Sequence, residues 1–400
     1  MILRRAEGLD LLDGIIAAQF SDISLIHWMS PMQSHRLGMS EEQQPHIFPK
    51  VDVIVPTYDY GHYLNACLAS IRAQTYADYS VLIIDNASED DTEKIARHWQ
   101  NRDSRFRYVR NDTNLGLMAS VLKAYALTRA ELVLFLSADD LLEPRFLALA
   151  VGALDQHPEC TFAYSAWKMF VDDPGSQNHG AEYRYFSPHD CSGCYDEAAL
   201  LLAHNWITNS FTLFRREVCD AVGGVNPTDL QHVGDWYTWM LFSAKGPACY
   251  IHERLGRYRI HANTETNRLV ANYRSGYDHI RFYDLIFESE LWPMPIRLAA
   301  KAHQSRWLTG EPLTLIARKM GGERAEPLMR HFVSRYRDAF YVAIAQSVLQ
   351  YTPSKNFLDT PENALALLRE VLLHDSSNAQ AAMLYQSYRG QGRSKGLLIT

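Results

Sequence analysis

Glu131-Leu132-Val133-Leu134-Phe135-Leu136-Ser137-Ala138-Asp139-Asp140 is the stretch on which the reading of this chain turns. An apolar run of strand length ends abruptly in a serine, an alanine and two acids. Similar runs lie upstream: Val51 to Val55, stopped by Pro56; Tyr79 to Ile84, ending in Asp85-Asn86-Ala87-Ser88; and a shorter one from Phe106 to Val109. Between them the apolar spacing becomes helical. Leu64, Leu68 and Ile71 fall at i, i+4 and i+7, Thr92, Ile95, Ala96 and Trp99 mark a second helix, and Met118 to Leu127 follow an Asn114-Leu115-Gly116 turn as a third. Strand-length runs alternating with helices predict an α/β sheet protein built from βαβ units. Ligands of open α/β sheets bind at the carboxyl ends of the strands, so Pro56/Thr57, Asp85/Asn86 and Ser137 to Asp140 should converge on one site.

Past residue 150 the pattern loosens. Ala163 to Met169 reads as a strand, and residues 172–195, rich in Asp, Gly, Ser, Pro, Asn and His, read as a long surface loop of the kind that shapes a substrate pocket. Ala199 to Val222 reads as helical and apolar until Gly223-Gly224 breaks it. Asp235 to Ser243 predicts a helix with two tryptophans, and Tyr250 to Ile260 leads to His261. Beyond about residue 270 the chain reads as mostly helical, with a helical hairpin over 361–389. Three regions result: a helical extension over 1–47, a catalytic domain over 48–268 and an α-helical region over 269–400.

Composition narrows the function classes. The chain of 400 residues carries a net charge of −7, which excludes a strongly basic nucleic-acid footprint. No stretch approaches the roughly 20 unbroken apolar residues of a spanning helix. Glu7, Asp10 and Asp13 interrupt the apolar lead-in after Arg4 and Arg5, so no cleaved signal peptide is expected and a cytoplasmic location follows. Of six cysteines, 67, 160, 219 and 249 stand alone in apolar or helical surroundings, as reduced buried thiols do. Cys191 and Cys194 form a CxxC; zinc would need two more ligands, with His189 and His204 near in sequence, and a glycine-containing loop is the plainer reading.

The acids at 139 and 140 suit a hard divalent cation bridging substrate phosphates, since such ions are held by one or two carboxylates plus phosphate oxygens. In Pro56-Thr57-Tyr58-Asp59-Tyr60-Gly61 there is one glycine after the first strand and no GxGxxG, which disfavours a nucleotidyltransferase or a dehydrogenase.

Taken together, Val53-Ile54-Val55-Pro56-Thr57-Tyr58, the Leu64 to Gln74 helix with Gln74-Thr75-Tyr76, Ile84-Asp85-Asn86-Ala87-Ser88 with Asp91-Thr92, Asn114-Leu115-Gly116 and Leu136-Ser137-Ala138-Asp139-Asp140 resemble, in order and spacing, the inverting family 2 glycosyltransferases. The resemblance covers about residues 50–265. It implies a GT-A fold: a Rossmann-like, mixed and mainly parallel sheet flanked by helices, here with a helical C-terminal region. It implies transfer of a sugar from a nucleoside-diphosphate-sugar donor, a UDP-sugar, to an acceptor hydroxyl of a glycan, a lipid-linked chain or a protein. Pro56, Thr57, Asp85, Asn86, Ser137 and Ala138 are then placed around the donor nucleotide. Asp139 and His261 are placed on Mn2+ or Mg2+, with Asp140 as an auxiliary carboxylate.

The resemblance also puts the catalytic acid in Gly234-Asp235-Trp236, making Asp235 the general base and Trp236 an auxiliary wall for the sugar ring. A carboxylate in hydrogen-bond reach of the acceptor hydroxyl takes its proton as the anomeric carbon is attacked from the far side, so inversion is expected. A helix N-terminal acid is the competing role for Asp235. Ser137, Asn86 and Gly234 stand where the family usually has acids, which keeps a degenerate nucleotide-sugar binder or scaffold as the alternative. Arg110 and Lys123 are candidates to pair with phosphate, and Trp239 is expected in the core. The remaining expectations are no nucleic-acid partner, a location peripheral to the inner membrane, and a homo-oligomer or acceptor contact through the helical C-terminal region.

Overall fold

The computed structural model describes residues 48–184, 187–262, 264–271, 274–309, 338–339, 342, 345 and 361–394. The helical reading of 1–47 lies outside the described residues. Residues 51–135 alternate strand and helix: β1 (Val51–Thr57), α1 (Gly61–Arg72), β2 (Tyr79–Asp85), α2 (Thr92–Arg102), β3 (Phe106–Arg110), α3 (Leu117–Ala126) and β4 (Leu132–Phe135). After the short β5 (Leu141–Leu142) come α4 (Phe146–Gln156), β6 (Phe162–Val171), β7 (Glu182–Arg184), β8 (Gly193–Tyr195) and α5 (Ala198–Leu201). Then follow β9 (Thr212–Arg215), α6 (Arg216–Ala221), α7 (Gly234–Ser243) and β10 (Ala248–Ile260).

The strands form one 10-stranded mixed sheet in the order β3-β2-β1-β4-β9-β6-β10-β5, with β7 on β6 and β8 on β10. β1 pairs in parallel with β2 and β4, β2 with β3, and β6 with β10; β9 runs antiparallel between β4 and β6. The continuous apolar runs are explained by burial on both faces. Val51, Val53 and Val55, with Leu132, Leu134 and Leu136, turn to one face and pack under α1 and α4; Ile54, Val133 and Phe135 turn to the other, under α3 and α7.

Two readings change. The helical expectation for Ala199 to Val222 gives way to a broken path in which α5 and α6 flank a wholly buried strand, β9, that fills the space between β4 and β6. A strand of four residues carries too few alternations to be seen, and pairing on both sides overrides its local preference. The loop over 172–195 contains β7 and β8, which return it to the sheet.

The helical C-terminal expectation holds for the described residues. α8 (Glu265–Ala271), α9 (Arg274–Glu288) and α10 (Met294–Thr309) follow the sheet, and the hairpin appears as α11 (Pro361–His374) and α12 (Ala379–Ser394), joined through buried Leu368, Val371 and Ala381. No described helix is long and apolar enough to cross a membrane.

Candidate active site

Parallel registry brings the three strand ends together. Asn86 N–H donates to the Thr57 carbonyl at 2.9 Å and Leu136 N–H to the Ile54 carbonyl at 2.9 Å, so the residues after β1, β2 and β4 share one rim. A cavity of about 580 Å³ opens there, lined by Pro56, Thr57, Asn86, Ser137, Ala138, Asp139 and Asp140 among the residues expected from sequence. The Thr57 hydroxyl on this wall is buried and has no partner among the described residues.

The loops behind that wall are laced to each other. Asp59 N–H donates to Ser88 Oγ at 2.9 Å, Glu89 N–H to Asp59 Oδ1 at 2.8 Å, and Gly61 N–H to Asp90 Oδ2 at 2.8 Å. A Cβ on Gly61 would stand 2.9 Å from both Asp90 Oδ2 and the Thr92 backbone nitrogen, so this crossing admits only glycine. Ala87, between Asn86 and Ser88, is held at a φ of 67°, the left-handed region that costs an L-residue about 1–2 kcal/mol.

Asp85 is fully buried and does not reach the cavity wall. Its Oδ1 accepts from Ser88 N–H and Oγ, and its Oδ2 from the Tyr108 hydroxyl at 2.6 Å and Arg110 at 2.9 Å. Asn86 carries the wall in its place: its Nδ2 donates to Asn114 Oδ1 at 2.7 Å and its Oδ1 accepts Leu115 N–H at 2.8 Å, pinning the Asn114-Leu115-Gly116 turn. Arg110 is spent on Asp85 and the Ser88 carbonyl, and Lys123 on Asn111 Oδ1 at 2.8 Å. Both basic candidates belong to the framework.

On the opposite wall, Asp139 Oδ2 lies 3.1 Å from His261 Nε2, leaving Oδ1 without a partner among the described residues. His261 is buried behind Asp139 in a nest of aromatic rings, with centroids 4.8 Å from Tyr63 and 5.7 Å from Tyr60. Asp140 also lines the cavity, but both its oxygens are engaged: Oδ2 accepts from Ser210 Oγ at 2.5 Å and Oδ1 from Arg259 N–H at 2.9 Å. Burial and the adjacent Asp139 push its carboxyl well above the usual range. Arg259, which sequence reasoning passed over, clamps the acidic turn. Its Nε donates to the Asp139 carbonyl at 2.7 Å, its guanidinium pairs with Asp172, and it lies 4.5 Å over the Tyr63 ring and 4.6 Å over Phe170.

Asp235 sits in the first turn of α7 and is half-buried; burial raises its carboxyl to about 6, with Trp236 N–H donating to its Oδ1 at 2.6 Å. Tyr258, on the cavity wall, feels the charges of Asp140, Asp139 and Asp235 together, and burial with Asp140 leading those charges pushes its phenol up to about 12. Trp236 is placed in the second core rather than on the cavity wall: its indole donates to the Leu201 carbonyl at 2.7 Å and its ring packs 4.4 Å from Phe282. Trp239 is fully buried, as expected. At Gly234 the space an acid would need is taken by Asn226, whose Nδ2 would meet an added Cβ at 2.4 Å.

Tyr58, Tyr60, Tyr258, Thr264, Glu265, Thr266 and Arg268 also line the cavity and were missed from sequence. The first two follow closely on Pro56-Thr57, a usable signal; Tyr258, inside β10, and the residues just after that strand carry none, because only the tertiary fold brings the end of β10 and its continuation to the cavity.

Residues 52–223 match the family model described as Glycosyl transferase family 2. The chain is 27% identical over 259 residues to an uncharacterized protein of Mycobacterium tuberculosis, covering 63% of this chain and 80% of that one. It is 30% identical over 130 residues to an uncharacterized glycosyltransferase of Methanocaldococcus jannaschii, covering 32% and 44%. The crystal structure of S. aureus TarS 1-349 superposes with a TM-score of 0.50 at 15% identity, over 88% of this chain and 93% of that one, a likeness of fold. The mixed sheet, with its cavity at the carboxyl ends of the parallel strands, has the GT-A architecture. Residues 52–223, the part that the family model matches, form a family 2 glycosyltransferase domain.

Proposed function

We propose that the protein moves a sugar from a nucleoside-diphosphate-sugar, a UDP-sugar, to an acceptor hydroxyl with inversion at the anomeric carbon. The observation that carries this is that one cavity is lined both by Thr57, whose hydroxyl is unsatisfied, and by Asp139, which His261 backs. A buried hydroxyl without a partner costs stability unless a ligand satisfies it. Thr57 and Asn86 offer hydrogen bonds to a base and ribose, and Pro56, Ser137 and Ala138 shape the wall beside them.

Asp139 and His261 fit a divalent cation of the Mn2+ or Mg2+ type. A buried carboxylate with one oxygen uncommitted, beside an imidazole nitrogen, leaves the remaining coordination to diphosphate oxygens, and the imidazole favours manganese over the oxygen-seeking magnesium. Such an ion would neutralise charge on the departing diphosphate. The chain's own part is positioning. Arg259 and Ser210 hold the Ser137–Asp140 turn rigid, and Asp140 takes the clamp's hydrogen bonds so that Asp139 is left to the cavity. Asp235, poised near 6, takes the proton from the acceptor hydroxyl at neutral pH.

Residues 48–268 form the catalytic domain in this reading, and the helical region beyond it contacts a glycan, lipid-linked or protein acceptor or a second copy of the chain. A cytoplasmic site peripheral to the inner membrane belongs to the same proposal. The test is thermal stabilisation of the purified protein by a panel of sugar nucleotides with manganese, followed by turnover of the best binder. Stabilisation together with product of inverted configuration is expected. Stabilisation without turnover by the full chain on any acceptor hydroxyl, water included, would replace the enzyme with a nucleotide-sugar-binding protein.

A further inference from the structure

Three cysteines from separate parts of the sequence meet on the far side of the sheet from the helix α7. Cys160 ends the turn after α4, Cys194 is the middle residue of β8, and Cys249 is the second residue of β10, directly opposite Cys194 in the antiparallel register. Their sulfurs all lie within 4.8 Å of one another, with Cys194 Sγ 3.8 Å from Cys249 Sγ. His157 and Glu159, from the same turn as Cys160, also come within 4.8 Å of Cys194, on the solvent side, and His157 Nδ1 is 3.2 Å from Glu159 Oε1.

We propose that Cys160, Cys194 and Cys249 form a structural zinc site, which His157, near Cys194, turns in to complete as the fourth ligand. Zinc–thiolate bonds of about 2.3 Å in a tetrahedron set neighbouring sulfurs roughly 3.8 Å apart, which is the spacing of Cys194 and Cys249. A bare cross-strand dithiol would account for two sulfurs. It would not account for the third thiol in the same reach. Glu159 is the positioning residue, oriented to hold the His157 ring as carboxylates do for metal-bound histidines. The class of ligand is a soft-to-borderline divalent ion held by thiolates, distinct from the ion proposed on the carboxylate and imidazole of the donor cavity.

The site's place in the fold gives it a job. β8 ends the 172–195 excursion, and only three residue pairs tie it to β10. A metal bound there fastens the return of that excursion to both β10 and the turn before β6. The CxxC of Cys191 and Cys194 is thereby split: Cys191 is exposed, with its thiol 3.3 Å from the Tyr195 hydroxyl, and takes no part.

The test uses the full chain purified under reductant. Elemental analysis should find one zinc per chain, and cobalt exchanged into the protein should give the thiolate-to-cobalt charge-transfer band and the visible bands of a tetrahedral sulfur site, which the carboxylate and imidazole of the donor cavity cannot produce. Cys194→Ser should abolish both and Cys191→Ser should keep both. Should Cys194→Ser fail to fold, the cobalt spectrum of the unaltered chain still decides. Binding that survives Cys194→Ser, a cobalt spectrum without thiolate character, or a Cys194–Cys249 disulfide as the isolated state would each overturn the proposal.

Discussion

His261 Nε2 stands 3.1 Å from Asp139 Oδ2 across a separation of 122 residues, joining the chain just after β10 to the turn just after β4. That contact closes the acidic end of the cavity and ties the most remote part of the catalytic region to its centre. In the proposed reaction the two groups share one ion. Asp139→Ala should lower kcat/KM about a thousandfold, the equivalent of roughly 4 kcal/mol of charge stabilisation. His261→Ala should cost about 10–100-fold and raise the manganese concentration needed for half-maximal rate. Steady-state rates across a manganese titration check both; an unchanged metal requirement in His261→Ala would remove it from the ion.

Asp235 couples activity to stability in opposite directions. Burial raises its carboxyl from the ordinary 3.8 to about 6, so the folded state holds a proton that the unfolded state has already lost between those values. Stability therefore falls as pH rises from about 4 to about 6 and stays lower above it. If Asp235 is the base of the proposed reaction, activity should rise through about pH 6 as it ionises. Asp235→Asn should cost roughly 10²–10⁴ in kcat and, by removing the buried charge, gain on the order of 2 kcal/mol of stability at pH 8 but little at pH 4. Urea melts at the two pH values, beside the pH–rate profile, check the pair of effects.

Thr57→Val replaces an unsatisfied buried hydroxyl with a methyl of nearly the same shape. The free protein should keep or slightly gain stability, whereas donor affinity should fall by about 3–10-fold, the worth of one neutral hydrogen bond. Calorimetric titration with the donor nucleotide alongside a thermal melt separates the two; equal affinity would mean the hydroxyl faces no ligand.

Ala87 pays for a left-handed backbone that glycine adopts without strain. Ala87→Gly should raise the unfolding free energy by about 0.5–1 kcal/mol, the relief of strain less the extra chain entropy of glycine. Because Asp59, Ser88 and Glu89 hold the loop through their own hydrogen bonds, donor binding should stay the same. A chemical denaturation midpoint measures the gain.

How far the chain could be read without its structure depends on the range of the forces involved. The alternation of apolar runs and helical spacings from Val51 to Leu136 is a local pattern, and it set out the order of strands, their parallel half and the convergence of the residues after β1, β2 and β4. The family motif added Asp139 and His261, and those two do meet. What local pattern could not carry was the division of labour among the acids. Asp85, Asp139 and Asp140 are alike as letters, and Asn86 stands beside the first of them. Burial then commits Asp85 to Tyr108 and Arg110, Asp140 to Ser210 and Arg259, and leaves Asn86 and Asp139 to face the cavity. The same holds for Trp236, which the core claims through Leu201 and Phe282, and for the buried strand β9, whose four residues become a strand only because β4 and β6 offer unpaired edges on both sides. The cysteines make the point most plainly. Spacing along the chain pairs Cys194 with Cys191, but hydrogen bonding across β8 and β10 pairs it with Cys249 instead, because the pairing of strands, not the count of residues between them, sets which side chains share a space.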